Sequence, residues 1–120
     1  MGRSAPGGGV RDSGTGAVLL ITRASERAEA ERIGEQLVEK RLAASGSVLP
    51  TIHSFHRLEG KLQREHEALL LITTSTERSA EAQAELRALH SNPDPEILEV
   101  PITGGSPTYL EWLLNEVRSH

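Results

Sequence analysis

The chain has 120 residues, 37% of them hydrophobic and 25% charged, with a formal net charge of −4 and no cysteine. This is room for one domain with a modest core. The negative charge and the single Phe, Tyr and Trp argue against a nucleic-acid surface, while the lack of cysteine excludes disulfides, thiolate metal sites and thiol nucleophiles.

Residues 1–16 contain six glycines and one large aliphatic residue after Met1, Val10. They cannot bury enough surface to offset their ordering entropy, so a disordered glycine-rich tail is expected there, followed by a single domain over 17–120. The tail has no apolar core of the kind a signal peptide needs. No apolar run in the chain approaches the roughly 18 residues required to cross a bilayer. Direct membrane insertion is therefore not expected, and a soluble cytoplasmic protein is.

Ala17 to Thr22 is a continuous apolar run, short enough for a central strand buried on both faces. Ser25 offers a helix N-cap, and residues 26–44 favour helix, with Ala30, Ile33, Leu37 and Ala44 forming an apolar stripe. Gly46 stands where a left-handed C-cap would end that helix. Ser47 to Thr74 then supplies most of the strand material, as two long strands joined by a turn at Glu59-Gly60. Thr76 can cap a second helix reaching His90, with Ala82, Leu86 and Leu89 pointing inward.

Asn92-Pro93-Asp94-Pro95 stops any helix. Glu96 to Ile102 alternates as a strand, with Ile97, Glu99 and Pro101 on one side and Leu98, Val100 and Ile102 on the other. Pro101 points to a sheet edge or a strand end. Ser106-Pro107 opens a terminal helix whose stripe is Leu110, Leu113, Leu114 and Val117. The order strand, helix, strand, strand, helix, strand predicts an α+β, ferredoxin-like βαββαβ fold with an antiparallel sheet, a long central hairpin and an extra C-terminal helix. Both main helices share one face, so the other is left nearly bare. Such a face usually finds a partner, and self-association is the economical solution.

Among the histidines, His53 and His66 carry the sharpest metal hypothesis. His53 and His56 read as H-x-x-H, but residues three apart on a strand face opposite sides. A two-residue turn at Glu59-Gly60 instead sets His53 directly across from His66, with Cβ atoms about 4.5–5.5 Å apart, close enough for two imidazoles to hold one divalent ion. A one-residue slip would separate them. His90 ends the second helix, where it can bond the last carbonyls. Glu59, Lys61, Glu65 and Glu67 place mixed charge along the hairpin, either for solubility or to line a polar cleft completed by a neighbouring subunit. No nucleophile elbow, P-loop or dinucleotide fingerprint occurs, so no enzyme is indicated.

Several segments together resemble the CutA divalent-cation-tolerance family. They are Glu31-Arg32-Ile33 and Leu37 to Ala44 in the first helix, Glu59-Gly60-Lys61 at the turn, Pro95-Glu96-Ile97 and Val100-Pro101-Ile102 at the last strand, and Tyr109-Leu110-x-Trp112 in the terminal helix. The resemblance covers residues 17–118. It implies a ferredoxin-like fold, a tight homotrimer joined through the long hairpins and built like PII signalling proteins, and a role in tolerance of divalent metals such as copper, without a known enzymatic reaction.

The chain departs from the family's pattern at several positions. Ser45 and Ile21 stand where cysteines occur in members, so thiolate copper ligation is not inherited. His56 and Leu58 replace the aromatics of a Tyr-x-Trp-Glu-Gly-Lys pattern, and Ser91-Asn92 follows His90 in place of Pro-Tyr.

The expectation that follows is a trimeric protein without enzymatic activity that needs no cofactor and binds Cu2+ or another divalent cation weakly. The candidate ligands are His90, from the resemblance, and the His53 and His66 pair, from register. A second expectation is a PII-like sensor taking a small anionic metabolite in intersubunit clefts, through Lys61 and Arg41 with Glu59 and Glu67 nearby. A third is a scaffold or anchoring subunit with a protein partner, as the family's link to membrane-anchored acetylcholinesterase in animals suggests.

Overall fold

The computed structural model describes residues 13–119. The elements run β1 (Ala17–Ala24), α1 (Arg27–Glu39), β2 (Ser45–Leu58), β3 (Lys61–Ser75), α2 (Ser79–Leu89), β4 (Ile97–Ile102) and α3 (Pro107–Glu116). The four strands form one sheet in the order β2-β3-β1-β4, and each neighbouring pair is antiparallel. This is the ferredoxin-like arrangement expected from the element order. Pro101 lies in β4, an edge strand, where its missing N–H costs no ladder bond.

Strand alternation divides the side chains between two cores. Leu20, Ala24, Ala68, Leu70 and Ile72 pack against Ala30, Ile33 and Leu37 of α1 and Ala82 and Leu86 of α2. On the other face Ala17 and Ile102 meet Leu113 of α3 and Val117 at its C-cap, and α3 covers only one end of the sheet. Beyond α3 that face stays open, and Leu49, Leu98 and Val100 on it are exposed. β1 is therefore central, but it is fully buried on one face only: Leu19, Ile21 and Arg23 are intermediate. The expectation of burial on both faces is corrected, because the short α3 cannot reach along the strand.

The helix boundaries also differ from those expected. α1 stops at Glu39 rather than Ala44, and the left-handed residue after it is Arg41, with φ 60°, not Gly46. Leu42 N–H donates to Leu37 O and Arg41 N–H to Val38 O. This pairing closes a Schellman motif whose Leu42–Leu37 contact joins the core. Gly46 lies inside β2, where a Cβ would come within 3.3 Å of Ile72 Cδ1 and 3.6 Å of Gly34 Cα. Its role is close helix–strand approach.

Ser25 and Thr76 are not caps: the N-cap positions are Glu26 and Arg78. The backbone N–H of Arg78 is taken instead by Ser75 Oγ. Residues 13–16, placed in the tail by composition, are tied down. Ser13 is buried, its Oγ accepts from Gly16 N–H, and Thr15 Oγ1 donates to Ile102 O. The rest of the expected tail, residues 1–12, lies outside the described residues.

Candidate functional site

The hairpin is organised by its turn. Glu59 and Gly60 both have positive φ, 50° and 81°, the pattern of a type I′ turn, whose twist matches that of the strands. The turn fixes the register Leu58↔Lys61, Phe55↔Arg64 and His53↔His66. The register shifts between Leu49 and Ile52, where Pro50 and Thr51 oppose Ala68 alone. This is a bulge in β2. β1 pairs with β3 only as far as Ala68, so Lys61–Glu67 and its partner strand project beyond the sheet by about 23 Å.

On the projection, His53, Phe55 and Arg57 share a face with His66, Arg64 and Leu62, and this face is continuous with the helix side of β3. The His53 and His66 rings meet edge to face, with centroids 4.4 Å apart and 60° between planes. The Arg64 guanidinium sits over the Phe55 ring at 5.3 Å, a cation–π contact. Phe55 and Leu62 remain 60% exposed and Leu58 56%. Phe55 and Leu62 on this face and Leu58 on the other are thus exposed apolar side chains set among Arg57, Glu59, Lys61 and Arg64.

His90 is placed differently. Its Nε2 lies 2.8 Å from Arg23 O, and its Nδ1 accepts from Asn92 N–H at 3.0 Å. Because Nδ1 accepts, Nε2 carries the proton and donates to the carbonyl. Both ring nitrogens are therefore spent on backbone, and a metal could bind only by displacing one of these bonds. The expected capping of the last α2 carbonyls is replaced by this bridge from α2 to β1. His90 and the His53–His66 pair are on separate parts of the molecule, and no cluster of three metal-ligating side chains occurs among the described residues.

Beside His90, sequence reasoning missed a buried carboxylate. Glu29 is 4% exposed and accepts from Ser25 N–H, Ser25 Oγ–H and Ser91 N–H. Burial by itself pushes its carboxyl up, but the Ser91 and then the Ser25 hydrogen bonds outweigh that and hold it down at about 2. The local signal was a serine four residues before a glutamate in the first helical turn, with Ser25 itself one position ahead of the N-cap. Arg23 was missed as well. It pairs with Glu96 and approaches Glu67 at 3.6 Å, closing the floor of a cleft of about 520 Å³ where Glu65, His90 and Asp94 also sit.

The remaining candidates are dispersed. Glu59 and Lys61 are exposed at the tip, Glu67 is at its base beside Arg23, and Arg41 is at the far end of α1. Arg41 and Lys61 lie at opposite ends of the β2–β3 ladder, about 40 Å apart along the strand. One chain does not bring them together.

Residues 18–116 match the family model described as CutA1 divalent ion tolerance protein. The chain is 40% identical over 96 residues to the divalent-cation tolerance protein CutA of Thermus thermophilus, covering 80% of this chain and 92% of that one. It is 33% identical over 102 residues to the chloroplastic protein CutA of Arabidopsis thaliana, covering 85% of this chain but only 56% of that longer relative. The crystal structure of CutA from Xylella fastidiosa superposes with a TM-score of 0.81 at 34% identity, covering 86% of this chain and 99% of that one.

Proposed function

The chain belongs to the CutA1 divalent ion tolerance family, and on that premise we propose that it acts in tolerance of divalent cations as a non-enzymatic homotrimer. The observation that carries the assembly is the open sheet face. Leu98 is 56% exposed there, Leu49 43% and Val100 39%, and Leu58 of the projecting hairpin, on the same face, is exposed as well. Among the described residues both sheet edges, β2 and β4, lack a partner strand, and different edges meeting head to tail give a ring where the rotation closes. Apolar area of this extent is the mark of an interaction surface.

The binding chemistry that supports a cation role is imidazole and carboxylate, since the chain holds no thiol. The metal reading rests on the hairpin and not on His90, whose ring nitrogens already have backbone partners. Sedimentation equilibrium at low micromolar concentration tests the assembly. A mass about three times the 13.0 kDa of one chain is expected, and a monomer would overturn it.

A metabolite sensor using Lys61 and Arg41 is the second reading. The separation of those residues in one chain requires its cleft to form between subunits. Protection of Lys61 by inorganic phosphate in the assembled protein, with no response to metal, would favour it.

A further inference from the structure

We infer that His53 and His66 form a cross-strand clip for one late first-row divalent ion, Cu2+, Zn2+ or Ni2+, on the helix-side face of the projecting hairpin. The inference deepens the cation-tolerance reading and rests on it for biological meaning, while its geometry stands on the register alone.

Three features of the hairpin place the donors. First, the Leu58–Lys61 pair that closes the two-residue turn is the hydrogen-bonded one. Pairs alternate from there, so His53–His66, five pairs on, is a non-hydrogen-bonded pair. In such pairs the Cα atoms approach to about 4.5 Å and the side chains stand closest. Second, the imidazoles are already in contact at 4.4 Å between centroids. A rotation of one ring out of the edge-to-face contact would let one ion take a nitrogen of each, since a metal–imidazole bond spans roughly 2.0–2.1 Å. Third, the bulge at Pro50–Thr51 lies just below His53 and keeps the pair in register with the turn rather than with the base of the sheet.

The surroundings suit a cation. His66 also lines a cleft of about 610 Å³ with Glu26, Glu67 and the Arg27–Glu31 ion pair, where three carboxylates face one guanidinium. Arg64, the neighbouring base on this face, is held over the Phe55 ring. His56 shares neither place: it pairs with Gln63 on the opposite face of the hairpin. Two imidazoles with water completing the sphere select Cu2+, Ni2+ and Zn2+ over Mg2+ and Ca2+, which demand oxygen ligands.

The test is titration of the full-length protein with Zn2+, followed by histidine side-chain NMR, and with Cu2+ by calorimetry. Shifts confined to His53 and His66, no response to Mg2+, and an affinity lowered about tenfold or more by either His53→Ala or His66→Ala are expected, since loss of a ligand costs at least as much as loss of a ligand's own support. His56→Ala should bind as the parent does. Absence of shifts at millimolar Zn2+, or binding that survives the double substitution, would overturn the clip. Metal sensitivity of cells carrying the double variant reads the tolerance role separately: a working clip with unchanged sensitivity would retire that role and leave the site.

Discussion

Glu29 Oε2 accepts a 2.6 Å hydrogen bond from the backbone N–H of Ser91, joining the first turn of α1 to the loop that follows α2. With both Ser25 donors on its other oxygen, the carboxylate pins β1, α1 and that loop at one point.

Its effect on stability has a definite sign. The folded-state pKa is depressed to about 2, so the group contributes stability in full above the unfolded carboxyl range, near 4.3, and loses it as pH falls from about 5 toward 2. At neutral pH the contribution is about 3 kcal/mol, since each tenfold change in proton affinity between the folded and unfolded chain is worth about 1.4 kcal/mol. Glu29→Gln should therefore destabilise by about 2–3 kcal/mol at pH 7, because an amide turns a donor toward donors. Urea unfolding at fixed protein concentration should show the gap to the parent narrowing steadily below pH 5.

His90 is expected to hold its proton on Nε2, which nitrogen-15 spectra of the imidazole read directly. His90→Ala leaves the Arg23 carbonyl and the Asn92 N–H without their partner and should cost about 1–3 kcal/mol. Zinc binding to the hairpin should be unchanged. Loss of zinc binding in this variant would mean that the ion sits in the His90 cleft.

At the turn, Glu59 adopts φ 50° without being Gly, Asn or Asp. Glu59→Asn should stabilise by up to about 1 kcal/mol, since Asn-Gly is the preferred pair for this turn type. Gly60→Val should destabilise by about 1–2 kcal/mol, because a branched side chain resists the left-handed region. Thermal unfolding of the two variants beside the parent checks the opposed signs.

Leu98 separates assembly from folding. It is exposed on the open face of an edge strand, so Leu98→Glu should change protomer stability by no more than about 0.5 kcal/mol. In a ring it sets like charges into the covered face. Sedimentation should show dissociation while far-ultraviolet circular dichroism keeps the parent's shape.

The topology was legible because each element carries its own period, and Glu59-Gly60 alone was enough to oppose His53 and His66. The bulge was not legible. Pro50 signals a weak place in a strand, yet nothing local says that it and Thr51 share one partner. The end of α1 was misread because Gly46 advertises a left-handed cap, whereas Arg41 accepts that conformation in exchange for the Leu42–Leu37 contact and two backbone bonds. Glu29 escaped notice because its third donor, Ser91, is distant in sequence and meets it only once α2 has folded back over the sheet.

The bulge at Pro50–Thr51 gives β2 two facing rules. Below it the even residues Gly46 and Val48 lie on the helix side; above it the odd residues His53, Phe55 and Arg57 do. The hairpin is thus a replaceable cartridge with a natural cut line at Pro50 and Ala68. A tip moved between relatives as one block from Pro50 to Ala68 carries the bulge and its facing pattern with it, whereas a block that leaves the bulge behind, set into a strand without one, would turn its residues to the wrong side.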